Sequence, residues 1–263
     1  MTSVTDPHPD PAIVARLRAA GCVFAEDEAR LIAEAAMDAD QLEDLVAKRV
    51  SGLPLEPLIG WAEFCGLRIR VAPGVFVPRH RTEFLVEQAV ALAAPDAVVL
   101  DLCCGAGAIG AAIASRVGDG VELVACDIEP AAVRCARENI EPRGTVYEGD
   151  LFDALPVSLR GRVDVLAVNA PYVPTEAIAL MPPEARLYEP AVALDGGADG
   201  LAVQRRVAAE AGAWLAPGGS LLIETSGEQA ARTAALFEEA GLLVRTVASD
   251  EYDTTVVVAT SSR

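Results

Sequence analysis

VVLDLCCGAGAIG, residues 98–110, decides how this chain folds. The run 97–102 is apolar except for Asp101 and reads as a strand buried on both faces. Gly105 and Gly107 then break it, and a helix opens over 107–117. Glycines in such a turn let backbone approach a ligand closely, where a Cβ would collide.

Gly105, Gly107 and Gly110 spell GxGxxG, the fingerprint of dinucleotide binding. The same strand–turn–helix unit serves enzymes that bind adenosylmethionine. Asp101 helps to separate the two, because a carboxylate there opposes a pyrophosphate but suits a sulfonium or an amino group. Asp127 follows at the end of the next strand, where a carboxylate can accept both hydroxyls of a ribose. The plainer alternative is a turn that only packs strand against helix. Cys103 and Cys104 in the turn read as small buried space-fillers rather than redox groups.

Outward from this stretch the rhythm is helix, strand, helix, strand. Helices are predicted over 82–94, 130–139, 200–215 and 227–240, and strands over 121–126, 144–148, 163–168 and 220–224. Two strands, 242–248 and 254–260, close the chain without a helix between them and should pair antiparallel. This is an α/β chain with a doubly wound, mostly parallel sheet. Before it, residues 11–52 carry helical periodicity in three segments. Residues 63–77 alternate around Pro73-Gly74, which predicts a β-hairpin. The expected organisation is a helical bundle over 1–60, a hairpin linker over 61–80 and a catalytic domain over 81–263.

A second stretch bears on chemistry. VLAVNAPYVPT, residues 165–175, begins as a buried strand and breaks into Asn169-Ala170-Pro171-Tyr172. In an open α/β sheet this strand end faces the same crevice as Gly105 and Asp127. Asn169 offers an amide acceptor, and Pro171 stiffens the loop. The Ala170 carbonyl is left free, and Tyr172 can cover a planar group. Together they predict a slot for a flat, neutral NH₂, two acceptors gripping its hydrogens so that its lone pair faces an electrophile. A proline turn with a capping Asn is the bland alternative.

Composition narrows the classes. The 263 residues are 52% apolar and carry a net charge of −18, which opposes a phosphate backbone as partner. Lys48 is the only lysine. Six cysteines without a CxxC pair and two histidines, His8 and His80, are poor material for a metal site. His80, between Arg79 and Arg81, reads as a surface or loop residue. Free thiols, a polar N-terminus without a signal pattern and no apolar run near the roughly 18 residues of a membrane span predict a soluble, cytoplasmic protein.

The Asn-x-Pro-Tyr element after the fourth strand, with the DxGxGxG-like first loop, resembles class I methyltransferases that act on exocyclic or amide nitrogens. More closely, the chain resembles the HemK/PrmC family of protein-(glutamine-N5) methyltransferases. Residues 57–60, 63–64, 74–79 and 82–83 match its hairpin region, and residues 188–194, YEPAVAL, match its FEPxxAL segment. The resemblance implies S-adenosylmethionine as cofactor and a protein glutamine amide as acceptor, on a peptide release factor or a ribosomal protein. It implies cofactor contacts from Asp101, Cys103, Cys104, Gly105, Ala106, Gly107, Asp127, Ile128, Asp150, Leu151 and Asn169. It implies that Asn169, Ala170, Pro171 and Tyr172 hold the glutamine, with Phe76 lining its pocket. The chain departs from the family where Ala170 replaces proline, Cys103 replaces glycine, His80-Arg81 replaces a proline and an acid, and residues 249–253 lack the usual glycine- and arginine-containing turn. These departures mark a divergent paralogue. An adenine-N6 methyltransferase, a nicotinamide dehydrogenase and a catalytically silent cofactor-binding protein are the competing readings.

Overall fold

The computed structural model describes residues 9–262. The polar N-terminal reading of residues 1–8, His8 included, falls outside them.

Helices α1 (Pro11–Ala19), α2 (Ala25–Ala35) and α3 (Ala39–Val50) form the expected bundle, and a short α4 (Leu55–Ile59) follows. Asp10 caps α1 by accepting from the Ala12 N–H, and Asp38 caps α3 by accepting from Gln41. Leu17, Ile32 and Val46 meet in a small core of their own, against which Leu58 and Ile59 pack.

The hairpin lies earlier than predicted. Its strands are β1 (Trp61–Phe64) and β2 (Leu67–Arg70), with Phe64 opposite Leu67. The two-residue turn is therefore Cys65-Gly66, not Pro73-Gly74. Both turn residues have positive φ, 53° and 77°, the geometry whose twist matches a two-residue hairpin loop. Pro73-Gly74 makes a separate turn, closed by Val75 donating to the Ala72 carbonyl at 3.2 Å.

The remainder is a seven-stranded sheet. In chain order the elements are α5 (Glu83–Val90), β3 (Val98–Leu102), α6 (Ala108–Val117), β4 (Glu122–Asp127), α7 (Pro130–Ile140), β5 (Gly144–Glu148) and β6 (Val163–Val168). Then come α8 (Pro183–Tyr188), α9 (Ala202–Trp214), β7 (Leu215–Thr225), α10 (Ala230–Glu239), β8 (Leu243–Ser249) and β9 (Thr254–Thr260). The strand order is β5-β4-β3-β6-β7-β9-β8. The first five are parallel, and β9 runs antiparallel to both β7 and β8.

Every residue of β3 is buried, as its apolar run requires. Successive residues point to opposite faces and feed two core layers. Val99, Val165 and Leu222 pack under α5, α6 and α7. Leu100, Leu166 and Leu221 pack under α9 and α10, where Phe152 stacks on Trp214 with ring centres 5.4 Å apart. The chain winds one way from β3 to β5 and the other way from β6 to β7. The carboxyl ends of β3 and β6 therefore flank the point where the winding reverses, and a crevice opens there.

Residues 170–200 carry no predicted element, yet they contain α8 and 3-10 turns at Thr175–Leu180 and Ala191–Ala193. Strand β7 also starts earlier than the predicted 220–224, because the Pro217-Gly218 stretch is absorbed as an irregularity opposite Val163 and Val165.

Candidate active site

A cavity of about 480 Å³ occupies the crevice. One half is built by loops after β3, β4 and β5. Cys103, Cys104, Gly105 and Ala106 line it from the first loop, Asp127 and Ile128 from the second, and Asp150 and Leu151 from the third. Gly105 has φ +54° and a Cβ built there would meet nothing within 4 Å, so its backbone faces open space. Asp127 ties the loops together: Oδ2 accepts from the Gly105 N–H at 2.8 Å and Oδ1 from the Glu129 N–H at 2.9 Å. Each oxygen keeps a free lone pair for a further donor. Burial raises this carboxyl above its ordinary range, and the backbone N–H groups of Glu129, Gly105 and Ile128 offset only part of the rise.

Two of the residues expected at the cofactor lie off the cavity lining. Gly107 does not line the cavity. A Cβ there would lie 2.7 Å from the Ile140 side chain, so its missing side chain serves the packing of α6 on α7. Asp101 does not line it either. It is fully buried beneath the turn, where Oδ2 accepts from the Gly110 N–H at 2.7 Å and Oδ1 has no partner among the described residues. Burial first, and then the Asp127 charge, push its carboxyl up to about 7. Asp101 anchors the first turn of α6.

The thiols of Cys103 and Cys104 are raised well above their ordinary range by burial, with nearby carboxylates adding to it. They stay protonated at neutral pH, which suits space-filling and not nucleophilic or redox work. Cys103 has φ +59°, a left-handed conformation that costs a side-chain-bearing residue roughly 1–2 kcal/mol. Cys103→Gly should therefore unfold at a higher denaturant midpoint than Cys103→Ala, which keeps the strain and loses the thiol. The gap should be about 1 kcal/mol by chemical denaturation. Equal midpoints would mean that the loop relaxes around position 103.

The other half follows β6. Asn169, Ala170, Pro171 and Tyr172 all line the cavity, and Phe76 faces it from the segment after the hairpin. Asn169 Nδ2 donates to Thr82 Oγ1 at 3.3 Å, and its Oδ1 has no partner among the described residues. The Ala170 carbonyl likewise accepts no hydrogen bond from the described backbone or side chains. Tyr172 is fixed at both ends: its carbonyl accepts from Gln229 Nε2 at 3.0 Å and its hydroxyl donates to Glu224 Oε1 at 3.3 Å. Burial and the Glu224 charge raise the phenol above its ordinary range, so it remains a neutral donor.

Glu224, at the end of β7, is 1% exposed and also holds Arg81 at 3.3 Å. The Arg81 guanidinium lies 6.0 Å from the centre of the Tyr172 ring. Sequence reading missed Thr82, Arg81 and Glu224 as parts of the site. A buried Glu closing a strand beside the switch point was the available signal for the last. His80 is exposed, with its ring 5.2 Å from Tyr252, and stands apart from the cavity. Among the described residues no group of three His, Cys, Asp or Glu side chains is placed to hold a metal ion.

A glycine turn after β3, a carboxylate after β4, an amide after β6 and a C-terminal antiparallel strand define the class I adenosylmethionine-dependent methyltransferases. Comparison with known proteins agrees and goes further. The family described as Methyltransferase small domain matches residues 66–182. A release factor glutamine methyltransferase of Mycolicibacterium smegmatis is 38% identical over 250 residues, covering 88% of this chain and 88% of its own. Another, from Geobacter sulfurreducens, is 40% identical over 200 residues, covering 75% of this chain and 69% of its own. The chain belongs to the release factor glutamine methyltransferase family. Among solved structures, a 16S rRNA N2 G1207 methyltransferase of T. thermophilus, in complex with AdoMet and guanosine, shares the fold. Its TM-score is 0.55 at 23% identity, over 76% of this chain and 49% of that one.

Proposed function

We propose that the protein transfers a methyl group from S-adenosylmethionine to the N5 nitrogen of a glutamine side chain in a protein acceptor, the Gly-Gly-Gln glutamine of a peptide release factor. The observation that carries this reading is that two successive residues lining the cavity, Asn169 and Ala170, leave a side-chain oxygen and a backbone carbonyl unengaged among the described residues.

The residues present fit the cofactor. Gly105 leaves room against its backbone, and Asp127 has lone pairs free for two ribose hydroxyls. Asp150 and Leu151 border the same half, and Ile128, half exposed, offers an apolar face for a planar base. When bound, S-adenosylmethionine supplies an electrophilic methyl group on a positively charged sulfur.

The chain's own work is on the acceptor. An amide nitrogen shares its lone pair with its carbonyl and is a weak nucleophile. Asn169 Oδ1 and the Ala170 carbonyl accept its two hydrogens and orient the lone pair away from the wall. As the new N–C bond forms and the methyl carbon's bond to sulfur breaks, positive charge grows on the nitrogen; the two acceptors would stabilise it until one N–H proton is released to water. Tyr172, held by Gln229 and Glu224, keeps the slot narrow enough for a planar amide. The division of the chain near residues 60 and 80 into bundle, linker and catalytic unit belongs to the same proposal, with the bundle presenting the acceptor protein.

The direct test is label transfer from methyl-labelled S-adenosylmethionine to a purified release factor and to its Gln→Ala variant in the Gly-Gly-Gln loop. Label on the first and none on the second supports the reading. Label that survives the Gln→Ala change, or label only on a free arylamine offered as a control, refutes it.

Position 170 gives a further expected result. The Ala170 N–H makes no hydrogen bond among the described residues, so proline would remove no bond. Ala170→Pro should retain or raise turnover by stiffening the loop. Because Ala170 is 1% exposed, a fall in melting temperature would report overpacking of the added ring rather than a fault in the slot.

A further inference from the structure

The acceptor side of the cavity is closed by residues 175–194, and this wall has almost no core. Ala185 and Leu194 are its only buried apolar side chains, while Leu180, Leu187 and Val192 are exposed. Polar ties hold it instead. Glu189, 9% exposed, is paired with Arg79 and accepts from the Val77 N–H at 3.5 Å. Thr175 donates to Asp195 at 2.7 Å. Glu184, on α8 and on the cavity lining, is paired with Arg49 at 2.6 Å.

Arg49 belongs to α3 of the bundle and lies 135 residues away in the chain. It is 8% exposed, and all its nitrogens are engaged. Nε and Nη2 donate to Glu28 of α2 at 2.6 and 3.1 Å; Nη1 donates to the Leu53 carbonyl at 3.0 Å and to Glu184. The planar fork thus fixes two bundle helices and the wall in one geometry. Glu184 is half exposed, so water could solvate its carboxylate without Arg49. Its pairing is therefore a matter of placement.

We propose that Arg49 is a positioning residue for the methyl transfer: through Glu184 it sets α8, and with it the acceptor wall, relative to the helical bundle. The proposal rests on the acceptor reading given above. It gives the bundle a second role besides contact with the acceptor protein, because a shift of the bundle moves the wall. A misplacement of about 1 Å near a reacting group can cost a hundredfold in rate.

The test uses the full chain with Glu184→Gln. Arg49→Gln is less informative, because it strands the buried Glu28 carboxylate and endangers the bundle. Glu184→Gln leaves the Arg49–Glu28 pair intact. Amide exchange across 183–194 should rise about tenfold, while α1 to α3 and the sheet stay protected as in the wild type. With a release factor as acceptor, kcat should fall about tenfold while the dissociation constant for S-adenosylmethionine stays unchanged. Glu184→Asp should recover part of the loss. Unchanged wall exchange overturns the proposal, as does an unchanged kcat in a variant that labels the release factor. If the wild type labels no release factor, the acceptor reading fails on its own, and amide exchange still decides whether Arg49 sets the wall.

Discussion

Asn169→Ala should lower turnover by about 10²–10³-fold, the typical cost of removing one preorganised polar group aimed at developing charge. The side chain has one tie to the protein, the 3.3 Å bond to Thr82, so the fold loses little when it is removed. The melting temperature should stay close to that of the wild type. What disappears is the unengaged side-chain acceptor. One hydrogen of the bound amide then has no partner, and the lone pair is no longer aimed. Single-turnover label transfer measures the effect directly. A variant that keeps full activity would show that the slot after β6 does not hold the reacting nitrogen.

Asp127→Ala should weaken S-adenosylmethionine binding by about 100-fold, since hydrogen bonds to a charged acceptor are worth about 1.5–3 kcal/mol each. The loss has two parts. The ribose loses its acceptors, and the Gly105 and Glu129 N–H groups lose the carboxylate that ties the first loop to the second. Asp127→Asn is the sharper comparison. Both carboxylate oxygens face backbone donors, so either orientation of the amide sets its NH₂ against an N–H group. Asn should therefore bind almost as poorly as Ala. Calorimetry on the three proteins separates the outcomes; an Asn variant with near wild-type affinity would mean that Asp127 has no direct part in cofactor binding.

The cofactor half was legible because its signals are local. An apolar run, a glycine turn and a carboxylate at the next strand end each announce themselves within a few residues, and the sheet places them side by side. Even there, sequence could not tell a glycine that faces the open cavity from one that faces a helix: Gly105 does the first and Gly107 the second. Nor could it show that Asp101 turns its carboxylate inward, toward Gly110. The hairpin was misplaced because Pro-Gly is the louder turn signal, while Cys65 takes a positive φ that its type does not advertise.

Asn169 to Tyr172 were legible too, but the wall across from them, residues 175–194, was hidden for a different reason. It is made of short turns begun by Pro174, Pro182 and Pro190 and held by ion pairs across long stretches of chain. Such pairs leave no periodicity. Glu224 and Arg81 are likewise ordinary in sequence, lie 143 residues apart and meet only in the folded chain.

The cavity is thus assembled from two kinds of material. On the proposed function, its cofactor side comes mainly from residues 103–151, joined by Asn169, while its acceptor side draws on pieces from 76–82, 169–173 and 181–194. A protein engineer can treat these as separate modules. Changes confined to 181–194 would redirect the enzyme toward a new amide or amine while leaving the methyl donor's berth untouched, so a library built on that short wall samples acceptors without spoiling the reagent they share.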